Sequence, residues 1–185
     1  MPRQPVATGT QELSLHPVAG GAVWSVGIAG AEHLIPDMKG LRYLHALLQR
    51  PSVDVAALEL VAMVSGAGVT VEQPAVDEVD AEALRAYRQR LRDIDSELDE
   101  ATSWADDARA DRLQDERAAL LAEVGRATGL SGRTRLSGGT VERARVAVRK
   151  AIDAALKRIE ADDPAAARLL RTAVRTGAYC RYEPP

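Results

Sequence analysis

The residues best able to do chemistry in this chain are arginines and lysines, and they gather in its last third. From Arg133 to Pro185 twelve Lys/Arg stand against six Asp/Glu, a net of +6; before Arg133 twelve stand against twenty-one, a net of −9. Arg143, Lys150 and Lys157 recur every seven residues. At 100° per residue they fall on one side of a helix, opposite an apolar stripe of Val141, Val148, Ile152, Ala155, Leu156 and Ile159. Arg145 and Arg149 flank that stripe, and Arg158 adds a further charge. Cations in such a row suit phosphates and guanine edges of duplex DNA. Arg133, Arg135, Arg175 and Arg181 extend the set on both sides, so the candidate DNA contacts are Arg133, Arg135, Arg143, Arg145, Arg149, Lys150, Arg175 and Arg181. The competing readings are a plain solvated helix face, or attraction between the acidic and basic parts within the fold or a dimer. Arg outnumbers Lys 21 to 3, which with so much Ala reads as GC-rich coding rather than selection for guanidinium chemistry.

Other chemistry finds little support. His16, His33 and His45 stand at no metal-like spacing with one another, Cys or a carboxylate. The single Cys180 excludes an intramolecular disulfide and a Cys-rich zinc site. Neither a P-loop nor a G-x-G-x-x-G fingerprint occurs, and Ser65-Gly66-Ala67-Gly68 reads as a helix end. Ser137-Gly138-Gly139-Thr140 before a helix offers only the generic anion affinity of a helix N-terminus. Glu97, Asp99, Glu100 and Asp106-Asp107 read as a solvated face and a turn. With no Ser-His-Asp or Cys-His arrangement, the expectation is a protein that is not an enzyme and needs no metal or cofactor. No apolar run approaches a membrane span, and Met1 to Gln11 has no apolar signal core, so a cytoplasmic protein without a membrane partner is expected.

The elements that must position these residues follow from composition and period. Hydrophobic residues are 46% and aromatics only 3%, so the core is Leu, Val, Ala and Ile, which favours helices and thin sheets. Residues 1–10 are Pro-, Gly- and Thr-rich and read as a tail. Glu12–His16, Ala22–Ile28 and Glu32–Ile35 read as three short antiparallel strands, with Trp24, Val26 and Ile28 on one face. Met38–Gln49 is a helix by its Leu41, Leu44, Leu47 and Leu48, with Asp37 as candidate cap and Pro51 as stop. Val55–Ser65 is a second helix, with Ser52 or Asp54 as candidate cap. Val69–Val71 reads as a short strand and Gln73–Asp80 as a linker.

Residues 81–128 have a different texture. Leu84, Leu91 and Leu98 are seven apart, Tyr87, Ile94 and Ala101 fill the alternate seam, and charges flank both. The pattern breaks at Ser103-Trp104-Ala105-Asp106. It resumes with Leu113, Leu120, Val124 and Ala127, with Arg117 at a seam position. This predicts an antiparallel helical hairpin whose seam is completed either by a second chain, giving a homodimer, or by the chain's own body. The candidate dimer or partner residues are Leu84, Leu91, Ile94, Leu98, Trp104, Leu113, Leu120 and Val124. Trp104, at the tip, either plugs the hairpin's open end or anchors a partner such as another regulatory protein. After a Gly/Ser/Arg loop at 129–139, Thr140 is the candidate cap of a helix Val141–Ala161. Asp163 and Pro164 start another helix through Val174, and Ala178–Tyr182 reads as a strand.

Three segments carry a resemblance. Trp24-Ser25-Val26 through Leu34 into Lys39-Gly40-Leu41-Arg42-Tyr43-Leu44, the helix pair around Leu47–Leu60, and Asp162-Asp163-Pro164 with Arg171-Thr172-Ala173-Val174-Arg175-Thr176-Gly177-Ala178-Tyr179 together resemble an OmpR-type winged-helix domain. That family opens on a small sheet, continues with two helices and a recognition helix, and ends in a β wing. Residues 22–184 also resemble a region of actinobacterial multidomain regulatory ATPases, through "KGLRYL", "GLSGRTR", "ERARVAVRKAIDAALKRI" and "RTGAYCRY". The resemblance implies a transcription-regulatory, DNA-binding module that dimerises; a winged-helix-shaped interaction or scaffold module without DNA binding is the alternative. The chain departs from the pattern in the long segment Gln73–Gly139 and in a reshaped wing. The expected fold is α+β, mainly helical: a winged-helix-like body with a small N-terminal antiparallel sheet and an inserted antiparallel helical hairpin (coiled coil). Its expected parts are a disordered tail at 1–10, sheet and first two helices at 11–72, hairpin at 81–128, and third helix with wing-like segment at 133–185.

Overall fold

A computed structural model of the chain describes residues 13–18, 20–28, 30–66, 78–127 and 138–185. Strands β1 (Leu13–Pro17), β2 (Val23–Ile28) and β3 (Ala31–Pro36) form an antiparallel meander, with Leu15 opposite Val26 and Trp24 opposite Ile35. Gly20, Gly21 and Gly30 take positive φ in the two turns, where a Cβ would strain the backbone. Helix α1 (Lys39–Leu48) follows, then β4 (Val55–Ala56) and α2 (Ala57–Val64). Helices α3 (Glu78–Ser103) and α4 (Asp107–Ala127) form the antiparallel hairpin. Helix α5 (Gly138–Asp162), α6 (Pro164–Ala173), β5 (Val174–Arg175) and β6 (Tyr179–Tyr182) complete the chain. The fold is α+β and mainly helical.

One core joins the meander to α1, α2, α5 and α6. Leu41, Leu44 and Leu47 of α1, Val26 and Ile35 of the sheet, Leu60 of α2 and Val148, Ile152, Ala155 and Ile159 of α5 are all buried in it. Apolar residues three and four apart put one face of each helix into this core. Val141, expected on that stripe, is only half-buried. A second sheet orders β4–β6–β5: Val55 lies opposite Cys180, and Val174 opposite Tyr182.

Several local expectations need correction. Asp37 does not cap α1: the cap residue is Met38, with no side-chain bond. Asp37 instead accepts from Trp24 Nε1 at 2.8 Å and from Arg42 Nε at 2.9 Å, and the Arg42 guanidinium holds its carboxyl below the usual range. Neither Ser52 nor Asp54 caps α2, because Val55 and Ala56 are first drawn into pairing with β6 and the cap falls on Ala56. The linker expected to reach Asp80 ends sooner, since α3 starts at Glu78. Thr140 lies inside α5 and accepts from Arg143. Asp163, in contrast, caps α6 as expected, accepting from the N–H groups of Ala165 and Ala166 at 3.0 and 2.9 Å, with Pro164 at the first helical position. The strand expected at Val69–Val71 and the loop basic residues Arg133 and Arg135 lie outside the described residues.

Candidate functional site

The hairpin folds on itself through two apolar clusters. Ile94, Leu98, Ala101 and Leu113 form one near the tip, with Leu120 packed against it. Leu84, Leu91 and Val124 form the other near the base, where Tyr87, Leu121 and Tyr179 of the body pack. The seam residues Leu84, Leu91, Ile94, Leu98, Leu113 and Val124 are therefore buried within a single chain, with Leu120 half-buried. Trp104 does not plug the tip; it is 79% exposed.

The hairpin meets the body largely through charge. Asp95 of α3 is 1% exposed, accepts from Arg117 Nε at 2.8 Å and from the Ala178 N–H at 2.6 Å, and lies 3.7 Å from Arg145 Nε of α5. Asp99, one helical turn on, pairs with Arg145 at 3.5 Å and with Arg149. An i,i+4 carboxylate pair on α3 thus matches an i,i+4 guanidinium pair on α5. The sequence places Asp99 on a solvated face; its partner helix pulls it into this contact. Arg92 of α3 donates to the buried Asp54, which also lies 3.6 Å from Arg181. Glu142 accepts from Arg145 Nη2 at 2.8 Å, and that hydrogen bond holds its carboxyl below the ordinary range. Arg88 sits 5.1 Å from the centroid of the Tyr179 ring, whose hydroxyl is pushed up by burial.

These contacts sort the predicted cations. Arg145, Arg149 and Arg181 are engaged by the chain's own carboxylates. Among the described residues Arg143 bonds within its own helix, donating to Gly139 O at 3.0 Å and Thr140 Oγ1 at 3.3 Å. Arg143, Ala147, Lys150, Ala154, Lys157 and Ala161 are all exposed and form one outward stripe of α5. Among the described residues neither Arg143, Lys150 nor Lys157 has a carboxylate at ion-pair distance. Arg175 is exposed on β5. The buried charges Asp54, Arg92, Asp95 and Arg117 were not anticipated as a group. Arg117 at a seam position was the one signal for them, because a guanidinium there must find a counter-charge.

Cys180 is buried on β6, its thiol within 3.6 Å of Gly177 O. Burial pushes its pKa up to about 11. The native protein is therefore expected to resist Ellman's reagent at about pH 8 and to react once urea unfolds it, since the thiolate is the nucleophile. Rapid labelling of the native protein would contradict this burial. His45 Nδ1 lies 2.9 Å from Leu15 O, and its ring meets Trp24 edge-on at 5.2 Å. Among the described residues no group of three or more His, Cys, Asp or Glu is placed to hold a metal ion, and no helix is long and apolar enough to cross a membrane. No family model, curated protein or solved structure matches the chain.

Proposed function

We propose that the chain is a transcription-regulatory module that binds duplex DNA through the outward stripe of α5. The observation that carries this is the alternation Arg143, Ala147, Lys150, Ala154, Lys157, Ala161 on an exposed helix face. From Arg143 to Lys157 the stripe runs ~21 Å at 1.5 Å per residue. The alanines let the helix axis approach a groove, and the cations reach phosphates and base edges on either side. The order of elements supports the reading: sheet, α1, α2, then α5 after the inserted hairpin, and a closing β5–β6 pair follow the winged-helix plan that the sequence resembles, with α6 as an additional helix between α5 and β5. Arg175 and the preceding Arg133 and Arg135 belong to the same proposal. A cytoplasmic setting is part of it.

The test is anisotropy of a labelled mixed-sequence duplex as a function of salt. Wild type is expected to bind at low salt, and Lys150→Glu/Lys157→Glu to bind far more weakly, with each lost phosphate contact lowering the log–log salt slope by ~0.9. Arg112→Glu, on the hairpin, is expected to leave binding unchanged. No binding by wild type to long mixed-sequence duplex at low salt would sink the proposal. The second reading, an interaction or scaffold module, draws on the engagement of Arg145, Arg149 and Arg181 by internal carboxylates and on the exposure of Trp104.

A further inference from the structure

The hairpin tip presents an indole among unpaired carboxylates. Trp104 is 79% exposed, on a turn where its own N–H donates to Glu100 O at 3.1 Å and the Asp106 N–H donates to Ala101 O at 2.9 Å. Asp106, Asp107 and Asp111 are exposed beside it, and among the described residues none of the three has a cation at ion-pair distance. Glu100 is held by Arg109 at 3.1 Å. Arg112 lies about 100° round α4 from Asp111, so it does not screen the aspartates that face out at the tip.

The outward stripe of α5 is the complementary surface. Arg143, Lys150 and Lys157 are exposed and without a carboxylate partner among the described residues, and the exposed Ala147 and Ala154 separate them. An indole laid over either alanine has a cation ~4.5–6 Å away along the axis on each side, within reach of a cation–π contact. The tip aspartates meet those same cations as ion pairs. Both surfaces border one cleft. Glu100 and Ser103, just before Trp104, stand on one of its walls, and Arg149, Ile152 and Asp153 of α5 stand on the other. Asp153 is about 60° round α5 from Lys150, so the stripe begins where that wall ends.

From this arrangement we infer that the hairpin tip of a second copy of the chain docks on the α5 stripe, in a reciprocal two-fold dimer. Tip and stripe lie on opposite rims of the cleft. A two-fold axis at the cleft mouth therefore sets each tip on the other copy's stripe and closes the assembly. Within one chain the two do not meet, which leaves the aspartates, the cations and the indole all uncovered; one contact with a second copy covers all three. The contact is small and charged, so its affinity is micromolar and falls with salt. It occupies the face proposed for duplex DNA, so copy and duplex exclude each other there. Self-association is measured without DNA and is judged apart from that role.

Sedimentation velocity of the intact protein from ~1 to ~100 µM reads the association. Wild type is expected to dimerise with rising concentration in ~0.05 M NaCl and to stay monomeric in ~1 M NaCl, where the screening length falls to ~3 Å. Trp24 is 5% exposed, so acrylamide quenching reports on Trp104 and is expected to drop several-fold in the dimer. Asp107→Lys/Asp111→Lys and Lys150→Glu/Lys157→Glu are each expected to be monomeric alone, with wild-type circular dichroism. Mixed, they are expected to form a one-to-one heterodimer, because both contacts then pair opposite charges again. A wild-type monomer at the top concentration in low salt overturns the inference. So does a mixture that stays monomeric, a reversed variant that dimerises alone, or a dimer in which Trp104 is quenched as readily as in the monomer.

Discussion

Asp95→Ala is expected to cost about 3–5 kcal/mol of folding stability, the scale for removing one partner from a buried ion pair. The carboxylate does three things at once. It accepts from Arg117 Nε, it satisfies the N–H of Ala178, and it faces Arg145 at 3.7 Å. Arg117 and Arg145 are each 8% exposed, so neither can turn to water when the carboxylate goes. Glu142 remains for both, at 3.1 Å from Arg117 Nη2 and 2.8 Å from Arg145 Nη2, and Asp99 lies 3.5 Å from Arg145, but Asp99 also serves Arg149, so two carboxylates are left for three guanidinium groups. Gly177 packs closely here too: a Cβ on it would lie 2.8 Å from Asp95 Oδ2. Asp95→Asn keeps an oxygen for the Ala178 N–H and is expected to cost less than the alanine. Removing Arg117 as well recovers part of the loss, because the orphaned charge leaves with it. Urea unfolding followed by circular dichroism reads the effect as a midpoint shift of about 1.5–2.5 M at a slope near 2 kcal/mol per M. A loss under about 1 kcal/mol would mean that water reaches this cluster and that the hairpin is held by other contacts.

The chain announces its local elements and hides its long-range ones. The meander, α1, the hairpin and the Asp163–Pro164 helix start are legible because period and capping chemistry act over a few residues. Strands β4 and β5, two residues each, have no period to show. Val55 becomes a strand only because Cys180, far along the chain, lies opposite it. The expected caps at Ser52 and Asp54 fail for the same reason, since that pairing takes the backbone away from the helix start. Arg145 and Arg149 illustrate the limit at the site. Their flanking positions on α5 were legible, but whether water or another helix covers the flank depends on where the hairpin docks. From Glu78 to Ala127 fourteen Asp/Glu stand against eight Lys/Arg. That excess, laid beside a basic helix, is the physical reason the flanking arginines turn inward while Arg143, Lys150 and Lys157 face out.

The position of α5 in turn depends on how closely α1 approaches it, and Gly40 tests that closeness. A Cβ on Gly40 would fall 2.0 Å from Ala151 O and 2.6 Å from Ala155 Cβ. The obstruction is α5 backbone, which cannot swing aside as a long side chain can. Two effects oppose each other in Gly40→Ala. Helix propensity favours alanine by about 1 kcal/mol, and overpacking a dense crossing costs about 1–3 kcal/mol or more. At 2.0 Å from a carbonyl oxygen the steric term wins, so Gly40→Ala is expected to destabilise by about 1–2 kcal/mol and Gly40→Val by about 3 kcal/mol or more. Gly125 in α4 supplies the opposite case. Among the described residues nothing beyond the helix's own backbone lies within 4 Å of a Cβ there, so Gly125→Ala is expected to stabilise by about 0.5–1 kcal/mol through helix propensity. Thermal and urea melts of the two alanine variants should therefore move in opposite directions. If both stabilise, α1 and α5 do not cross in contact at Gly40, and the outward face assigned to α5 loses the packing that orients it.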